Sequence, residues 1–136
     1  MNTFPLKIVT PDGVKFDGRA QELIVRTING DMGILAGHIS CVVPLGMGQA
    51  TVVTEDAKRF GACIGGMVSV VNGQVSLLPT TFEWAEDIDK ARAEGSESRA
   101  RSVLENKTST ATDLKLAEAR LKRALIRKNV AAHKPK

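Results

Sequence analysis

The chain carries its clearest structural signal at Met67-Val68-Ser69-Val70-Val71-Asn72-Gly73-Gln74-Val75-Ser76-Leu77-Leu78. Apolar residues at every second position flank the dipeptide Asn72-Gly73 on both sides. Asn-Gly suits a type I′ turn because both central positions of that turn need φ > 0. This stretch therefore predicts a β-hairpin.

The residues before this hairpin repeat the same alternation of strand and turn. Short stretches of β-forming residues, such as 6–9 and 23–28, are followed by turn signals at Pro11-Asp12-Gly13 and Asn29-Gly30. Strands this short, separated by turns this frequent, indicate a sandwich or a barrel.

Composition changes sharply after Trp84. Residues 1–84 hold 11 of the 12 Gly and 4 of the 5 Pro, whereas 10 of the 15 Ala follow them. Residues 1–84 carry 6 Lys/Arg against 7 Asp/Glu, and residues 85–136 carry 13 against 8. Because Ala, Lys, Glu and Arg favour helices while β-branched residues favour strands, we predict a β module followed by a helical one.

The whole-chain composition excludes several classes of protein. The 136 residues are 43% hydrophobic, which is enough for a folded core and argues against disorder. No apolar run is long enough to span a membrane, and the N-terminus lacks the apolar stretch of a secretory signal, so we expect a cytosolic protein. Cys41 and Cys63 lie among apolar neighbours, and we expect both to be buried thiols, with no metal site at His38 and Cys41.

Residues 30–48 differ from the rest of the β module because five of these nineteen positions are Gly. This composition predicts an irregular segment. Two interpretations stay open: an exposed binding surface held by the sheets, or a connection whose apolar residues complete the core. The residues of the binding surface would be Asp31, Met32, Ile34, Leu35 and His38.

The basic half predicts a helical hairpin over about residues 87–131. Glu86-Asp87-Ile88-Asp89 supplies acidic cap candidates for a first helix that runs to about Asn106. Lys107–Ala111 is expected to be a polar connector, and Thr112-Asp113 to begin the second helix.

The two helices differ in apolar content. Between residues 89 and 102 the first helix has alanines as its only apolar side chains, and Gly95 lies in its middle. We expect this helix to be marginally stable, since burial contributes little to it. The second helix carries an apolar stripe of Leu114, Ala117, Leu121 and Leu125.

Arginines recur at helical spacing on both helices. Arg92 and Arg99 fall near one face of the first, and Arg120, Arg123 and Arg127 near one face of the second. Guanidinium groups brought together repel one another unless an anion lies between them, and their fork geometry suits phosphate oxygens, so a polyphosphate is the expected ligand. The alternative is a solvated face paired with nearby glutamates. No sequence pattern for nucleophilic or acid–base catalysis is present, so no catalytic residue is assigned.

Several motifs give the chain a resemblance to a known family. They are residues 9–13, the glycine-rich stretch 30–38, Gly65-Gly66-Met67-Val68 before the hairpin, and the charged helices at the end. With these motifs the chain resembles the epsilon subunits of the bacterial rotary (F-type) ATP synthase over essentially its whole length. Asp31 stands where many members carry Glu.

The resemblance implies a fold, a function and partners. The expected fold is an all-β sandwich over residues 1–84, binding the rotor, followed by a regulatory αα-hairpin over residues 85–136. The expected protein is a non-catalytic central-stalk subunit, peripheral on the cytoplasmic face of the bacterial membrane, in a complex that couples proton or sodium flow to ATP synthesis. Its implied partners are the gamma subunit, the c-subunit ring and, through the extended hairpin, the alpha and beta catalytic subunits.

The resemblance also implies a nucleotide site. The family pattern Ile/Leu-Asp-x-x-Arg-Ala is present as Ile88-Asp89-Lys90-Ala91-Arg92-Ala93. The mobile C-terminal hairpin would inhibit ATP hydrolysis when it extends, and ATP, with or without Mg²⁺, would be a regulatory ligand that holds the hairpin folded. The implied ATP-binding residues are Glu83, Ile88, Asp89, Arg92, Ala93, Arg99, Arg123 and Arg127.

A rival interpretation is a nucleic-acid-binding module whose basic tail neutralises phosphates. The tail has no aromatic residue after Trp84 to stack on bases. We therefore expect no nucleic-acid partner and no insertion into the membrane.

Overall fold

The computed structural model describes residues 2–134. The chain divides into two compact units, residues 1–84 and residues 85–136.

The first unit is a β-sandwich, as predicted. Within residues 2–134 its strands are β1 (Phe4–Thr10), β2 (Gly13–Ala20), β3 (Glu22–Thr27), β4 (Gly30–Leu35), β5 (Cys41–Pro44), β6 (Met47–Val53), β7 (Lys58–Ile64), β8 (Met67–Val71), β9 (Gln74–Leu78) and β10 (Thr81–Trp84). They form two five-stranded sheets with the orders β2-β1-β9-β8-β5 and β10-β7-β6-β3-β4. The alternation of buried and exposed residues along most strands is typical of sheets that face each other across a core.

The predicted hairpin is confirmed as β8 and β9, which pair antiparallel with Val70 opposite Val75. Asn72 and Gly73 have φ values of 50° and 83°. Both values lie in the left-handed region that a type I′ turn requires. The dipeptide therefore sets the register that turns Val70 and Val75 toward the core.

The core consists mainly of aliphatic side chains from both sheets. Leu6, Ile8, Leu23 and Val25 are at most 1% exposed. Cys63 is buried as expected, and burial raises the pKa of its thiol to about 12. Cys41 is only half-buried, contrary to expectation, because it lies on the edge strand β5.

Residues 30–48 are mostly strand, so the prediction of an irregular segment was wrong. Gly30, at φ 116°, closes the turn after β3, and β4 then pairs with β3 along its whole length. Gly48 fits within β6 because a small residue is needed there: a Cβ on Gly48 would lie 2.7 Å from Cβ of Arg26. Residues 36–40 and 45–46 are the parts of the segment outside the strands.

Trp84 is the last residue of β10 and packs against neighbouring side chains of the sandwich. Its ring lies edge-on to Phe82, with centroids 4.8 Å apart, and its Nε1–H donates to the carbonyl oxygen of Lys15 at 3.0 Å. The guanidinium of Arg59 lies 3.7 Å from the centroid of the indole ring, a cation–π geometry. The ring is 5% exposed and belongs to the core of the first unit.

The second unit begins with a 3₁₀ turn, Ala85–Asp87, followed by α1 (Lys90–Glu105) and α2 (Ala111–Ala131). The second helix begins one residue earlier than predicted because Thr110 is its N-cap. Thr110 and Asp113 form a capping box, in which each side chain accepts from the backbone N–H of the other. Within residues 2–134 neither helix combines the length and apolar content needed to cross a membrane.

The helices are lined by alanines more than by leucines. The buried residues of α1 are Ala93 and Ala100, and those of α2 are Ala117, Ala124, Val130 and Ala131. The predicted leucine stripe is only half-buried at Leu114, Leu121 and Leu125. Small side chains allow the two backbones to approach closely, but they bury little apolar area, so burial stabilises the hairpin weakly.

A candidate anion-binding site between two helices

The helical unit contains a cavity of about 750 Å³ between α1 and α2. Four arginines line it: Arg99 from α1 and Arg120, Arg123 and Arg127 from α2. Ala100 and Ala117 form part of the wall, where their small side chains leave space. Convergence of arginines from both helices, predicted from their spacing, is confirmed for these four.

Helical geometry explains why the α2 arginines share one side. Positions three and four residues apart are neighbours on a helix surface, so Arg120, Arg123 and Arg127 face the same way. An ion pair joins the two helices, with Nζ of Lys128 on α2 lying 3.1 Å from Oε1 of Glu97 on α1. A hydrogen bond from Lys128 and a smaller contribution from a hydrogen bond from Arg101 hold the pKa of Glu97 below its usual value.

The cavity carries a large positive charge with little internal compensation. Arg99 donates to the hydroxyl of Ser96 at 3.1 Å. Arg120 and Arg123 form no hydrogen bond or ion pair with any residue of the described chain, 2–134. Among residues 2–134, Asp113 is the one carboxylate that lines the cavity, and it already accepts from the backbone N–H of Thr110.

Such an arrangement is chemically suited to an anion. Arginine forks donate two parallel hydrogen bonds to phosphate or carboxylate oxygens, and charge-assisted bonds of this kind are stronger than neutral ones. Ser96, Asn106 and Ser109 also line the cavity and add uncharged hydrogen-bonding groups. No group of three or more His, Cys, Asp or Glu side chains in residues 2–134 is arranged to hold a metal ion.

The Ile88–Ala93 pattern lies at the start of α1, outside the cavity lining. Asp89 is the N-cap of α1, and its Oδ1 accepts from the backbone N–H of Arg92 at 3.0 Å. Ile88 is buried, and its carbonyl oxygen accepts from Nζ of Lys134. The Arg92 side chain is exposed, whereas Ala93 is buried.

Glu83 belongs to the first unit. It lies on β10, where it pairs with Ala62 of β7. Its assignment to the nucleotide site stays a prediction.

Arg120 lines the cavity but is missing from the residues that the family pattern supplied. Its spacing of three residues from Arg123 and seven from Arg127 was the signal that could have placed it there. Asn106, Ser109 and Asp113 had no such signal, because they reach the cavity only through the fold of the connector and the cap of α2.

The glycine-rich stretch of the β-sandwich forms a second candidate surface. Asp31 and Leu35 are exposed, and Met32 and His38 are half-buried. Ile34 is fully buried in the core, so for this residue the core interpretation holds and the binding-surface assignment does not.

A cross-strand ion pair holds Asp31. Arg26 on β3 lies opposite Asp31 on β4, and Nε of Arg26 is 3.1 Å from Oδ1 of Asp31. The Arg26 side chain itself lies against Gly48. Asp31 is therefore presented at the surface from a defined position.

Family models match both units. One described as "ATP synthase, Delta/Epsilon chain, beta-sandwich domain" matches residues 3–85, and one described as "ATP synthase, Delta/Epsilon chain, long alpha-helix domain" matches residues 86–132. The ATP synthase epsilon chain of Bacillus velezensis is 41% identical over 133 residues, covering 98% of this chain and 100% of that one. The ATP synthase epsilon chain of Shouchella clausii is 39% identical over 134 residues, covering 98% of each.

A solved structure shares the fold. A chain in the cryo-EM structure of the Euglena gracilis mitochondrial ATP synthase, comprising OSCP, F1 and the c-ring, superposes with a TM-score of 0.83 at 23% identity. The match covers 96% of this chain and 82% of that one.

Proposed function

The chain belongs to the ATP synthase delta/epsilon family, and on this premise we propose that it is a non-catalytic central-stalk subunit of an F-type ATP synthase. The complex would lie at the cytoplasmic face of the bacterial cell membrane and couple proton or sodium flow to ATP synthesis. Both units match the family, so the proposal covers the whole chain.

The β-sandwich is proposed to bind the gamma subunit and the c-subunit ring. Asp31, Met32, Leu35 and His38 supply the contact surface, since all four are at least partly exposed on β4 and the turn after it. Leu35, with 53% of its surface exposed, provides an apolar contact at the other end of β4 from the Asp31 carboxylate.

The helical unit is proposed to bind ATP as a regulatory ligand. The observation that carries this proposal is the cavity lined by four arginines from two helices. Arg99, Arg123 and Arg127 would bind the phosphates, and the segment Ile88–Ala93 at the start of α1 would form the base and ribose end. A ligand held by both helices stabilises the folded hairpin only through its higher affinity for that state.

Inhibition of hydrolysis follows from the weak intrinsic stability of the hairpin. Only Ala93 and Ala100 of α1 are buried, so the folded state depends on what is bound between the helices. When ATP falls, the hairpin opens and extends toward the alpha and beta subunits, where it blocks rotation in the hydrolytic direction. Removing residues 87–136 should therefore raise ATP hydrolysis by the assembled complex most strongly at low ATP.

Calorimetric titration with ATP tests the site. Arg123→Gln should weaken binding roughly 10- to 100-fold, since one charge-assisted hydrogen bond contributes about 1.5–3 kcal/mol. Lys122→Gln is the matched control, since it removes the same charge from the neighbouring position. Lys122 is exposed and does not line the cavity. We expect a change of less than about 2-fold there.

A random oligonucleotide, titrated at two salt concentrations, tests the rival class. A non-specific polyanion binder would lose affinity equally in both variants, because such binding follows the number of neutralised phosphates. Equal losses of ATP binding in Arg123→Gln and Lys122→Gln would contradict the proposed site.

A further inference from the structure

The arginines of the cavity have a defined order along the hairpin. The connector lies at one end, and the start of α1 meets the end of α2 at the other, where Lys134 donates to Ile88. Because Glu97 pairs with Lys128, Arg99 and Arg127 lie at nearly the same level. At a rise of about 1.5 Å per residue, Arg120 lies about 10 Å beyond Arg127 toward the connector, with Arg123 between them.

This order gives the ligand a direction. The segment Ile88–Ala93, proposed to form the base end, lies at the open end of the hairpin, before the level of Arg99. A nucleotide with its base there extends its phosphate chain toward the connector. It passes Arg99 and Arg127 first, then Arg123, and reaches Arg120 last.

Arg120 is available to a ligand. Its side chain is exposed, lines the cavity, and has no hydrogen-bond or ion-pair partner among residues 2–134. Asp113, two turns nearer the connector, has its carboxylate engaged in the capping box of α2. An anion at the connector end of the cavity would therefore meet Arg120 as its nearest uncompensated charge.

We infer that Arg120 binds the terminal phosphate of a nucleoside triphosphate and makes the cavity select a triphosphate over a diphosphate. This inference rests on the proposed ATP site and adds a specificity-determining residue to it. A diphosphate ends nearer Arg123 and leaves Arg120 without a phosphate.

The test is calorimetric titration of the full chain with ATP and with ADP, for wild type, Arg120→Gln and the control Lys122→Gln. Arg120→Gln should weaken ATP binding about 10-fold and ADP binding less than about 2-fold, so the ATP/ADP affinity ratio falls by at least about 5-fold. Lys122→Gln, which removes a charge two residues away on the same helix but outside the cavity, should keep the wild-type ratio. Circular dichroism should show equal helix content in all three proteins.

The outcomes separate this inference from the proposed function. If Arg120→Gln keeps the wild-type ATP/ADP ratio, whether it loses affinity for both or for neither, the inference is overturned. Loss of ATP affinity in Arg123→Gln would then leave the ATP site standing. If the wild type binds neither nucleotide, both the inference and the proposed site fail.

Discussion

Asp89 is the residue of the nucleotide pattern whose role the structure defines best. Its carboxylate caps α1 by accepting from the backbone N–H of Arg92 at 3.0 Å. We predict that Asp89→Ala weakens ATP binding because α1 loses its cap, and that Asp89→Asn, which keeps an acceptor oxygen in the same place, binds ATP within about 2-fold of wild type.

The size of the effect follows from how α1 is held. Replacing an N-cap Asp by Ala costs about 1 kcal/mol of helix stability. Burial adds little to α1, since only two of its residues, both Ala, are buried. The loss therefore appears nearly in full as a smaller binding-competent population, and the apparent affinity falls by up to about 5-fold.

The assay combines helix content by far-ultraviolet circular dichroism with calorimetric titration of ATP. Asp89→Ala should lose both helix content and affinity, and Asp89→Asn should keep both. If Asp89→Asn keeps the helix but binds ATP as weakly as Asp89→Ala, the charge itself meets the ligand and the capping argument is refuted. Equal or tighter binding by Asp89→Ala would instead point to a simple polyanion binder, because removing an acid raises the net charge.

Three further predictions concern other parts of the molecule. Gly61→Ala should destabilise the sandwich by about 1–3 kcal/mol, because a Cβ there would lie 2.4 Å from the Phe82 ring. Gly33→Ala, with open space around it, should be nearly neutral. Thermal melts of both variants measure the difference in stability. The lowered pKa of Glu97 adds hairpin stability that is present above the carboxyl's unfolded pKa and is lost as the pH falls through its lower folded pKa. The melting temperature of the helices, followed by circular dichroism, should therefore fall in acid, and Glu97→Gln should lose that pH dependence. Leu35→Asp should leave the isolated chain folded but weaken its co-purification with gamma, and a variant that fails to fold would refute the surface assignment.

The sequence predicts those features that depend on local chemistry. The β8–β9 hairpin follows from Asn72-Gly73, because few dipeptides adopt two positive φ values. Convergence of Arg99, Arg123 and Arg127 follows from helical periodicity, because the period fixes which positions share a face.

Features that depend on packing between distant residues were not predictable. Gly48 suggested an irregular segment, but it lies within β6. A glycine is needed there because the Arg26 side chain from the neighbouring strand β3 occupies the space that a Cβ would take. Of the predicted stripe on α2, Ala117 is buried as expected, but the three leucines are only half-buried, since close approach of two helices favours small side chains. Sequence periodicity shows which positions share a face but not how near the facing helix comes.

The position of Trp84 in the sandwich allows the two units to be followed by different optical signals. The chain has one Trp and no Tyr, so its intrinsic emission comes from an indole buried in the sandwich against Phe82 and Arg59. Helical dichroism, by contrast, comes from α1 and α2. Fluorescence and dichroism recorded during one melt therefore report on different halves of an unlabelled protein, and coincident or separated transitions reveal whether the halves unfold as one cooperative system or as two.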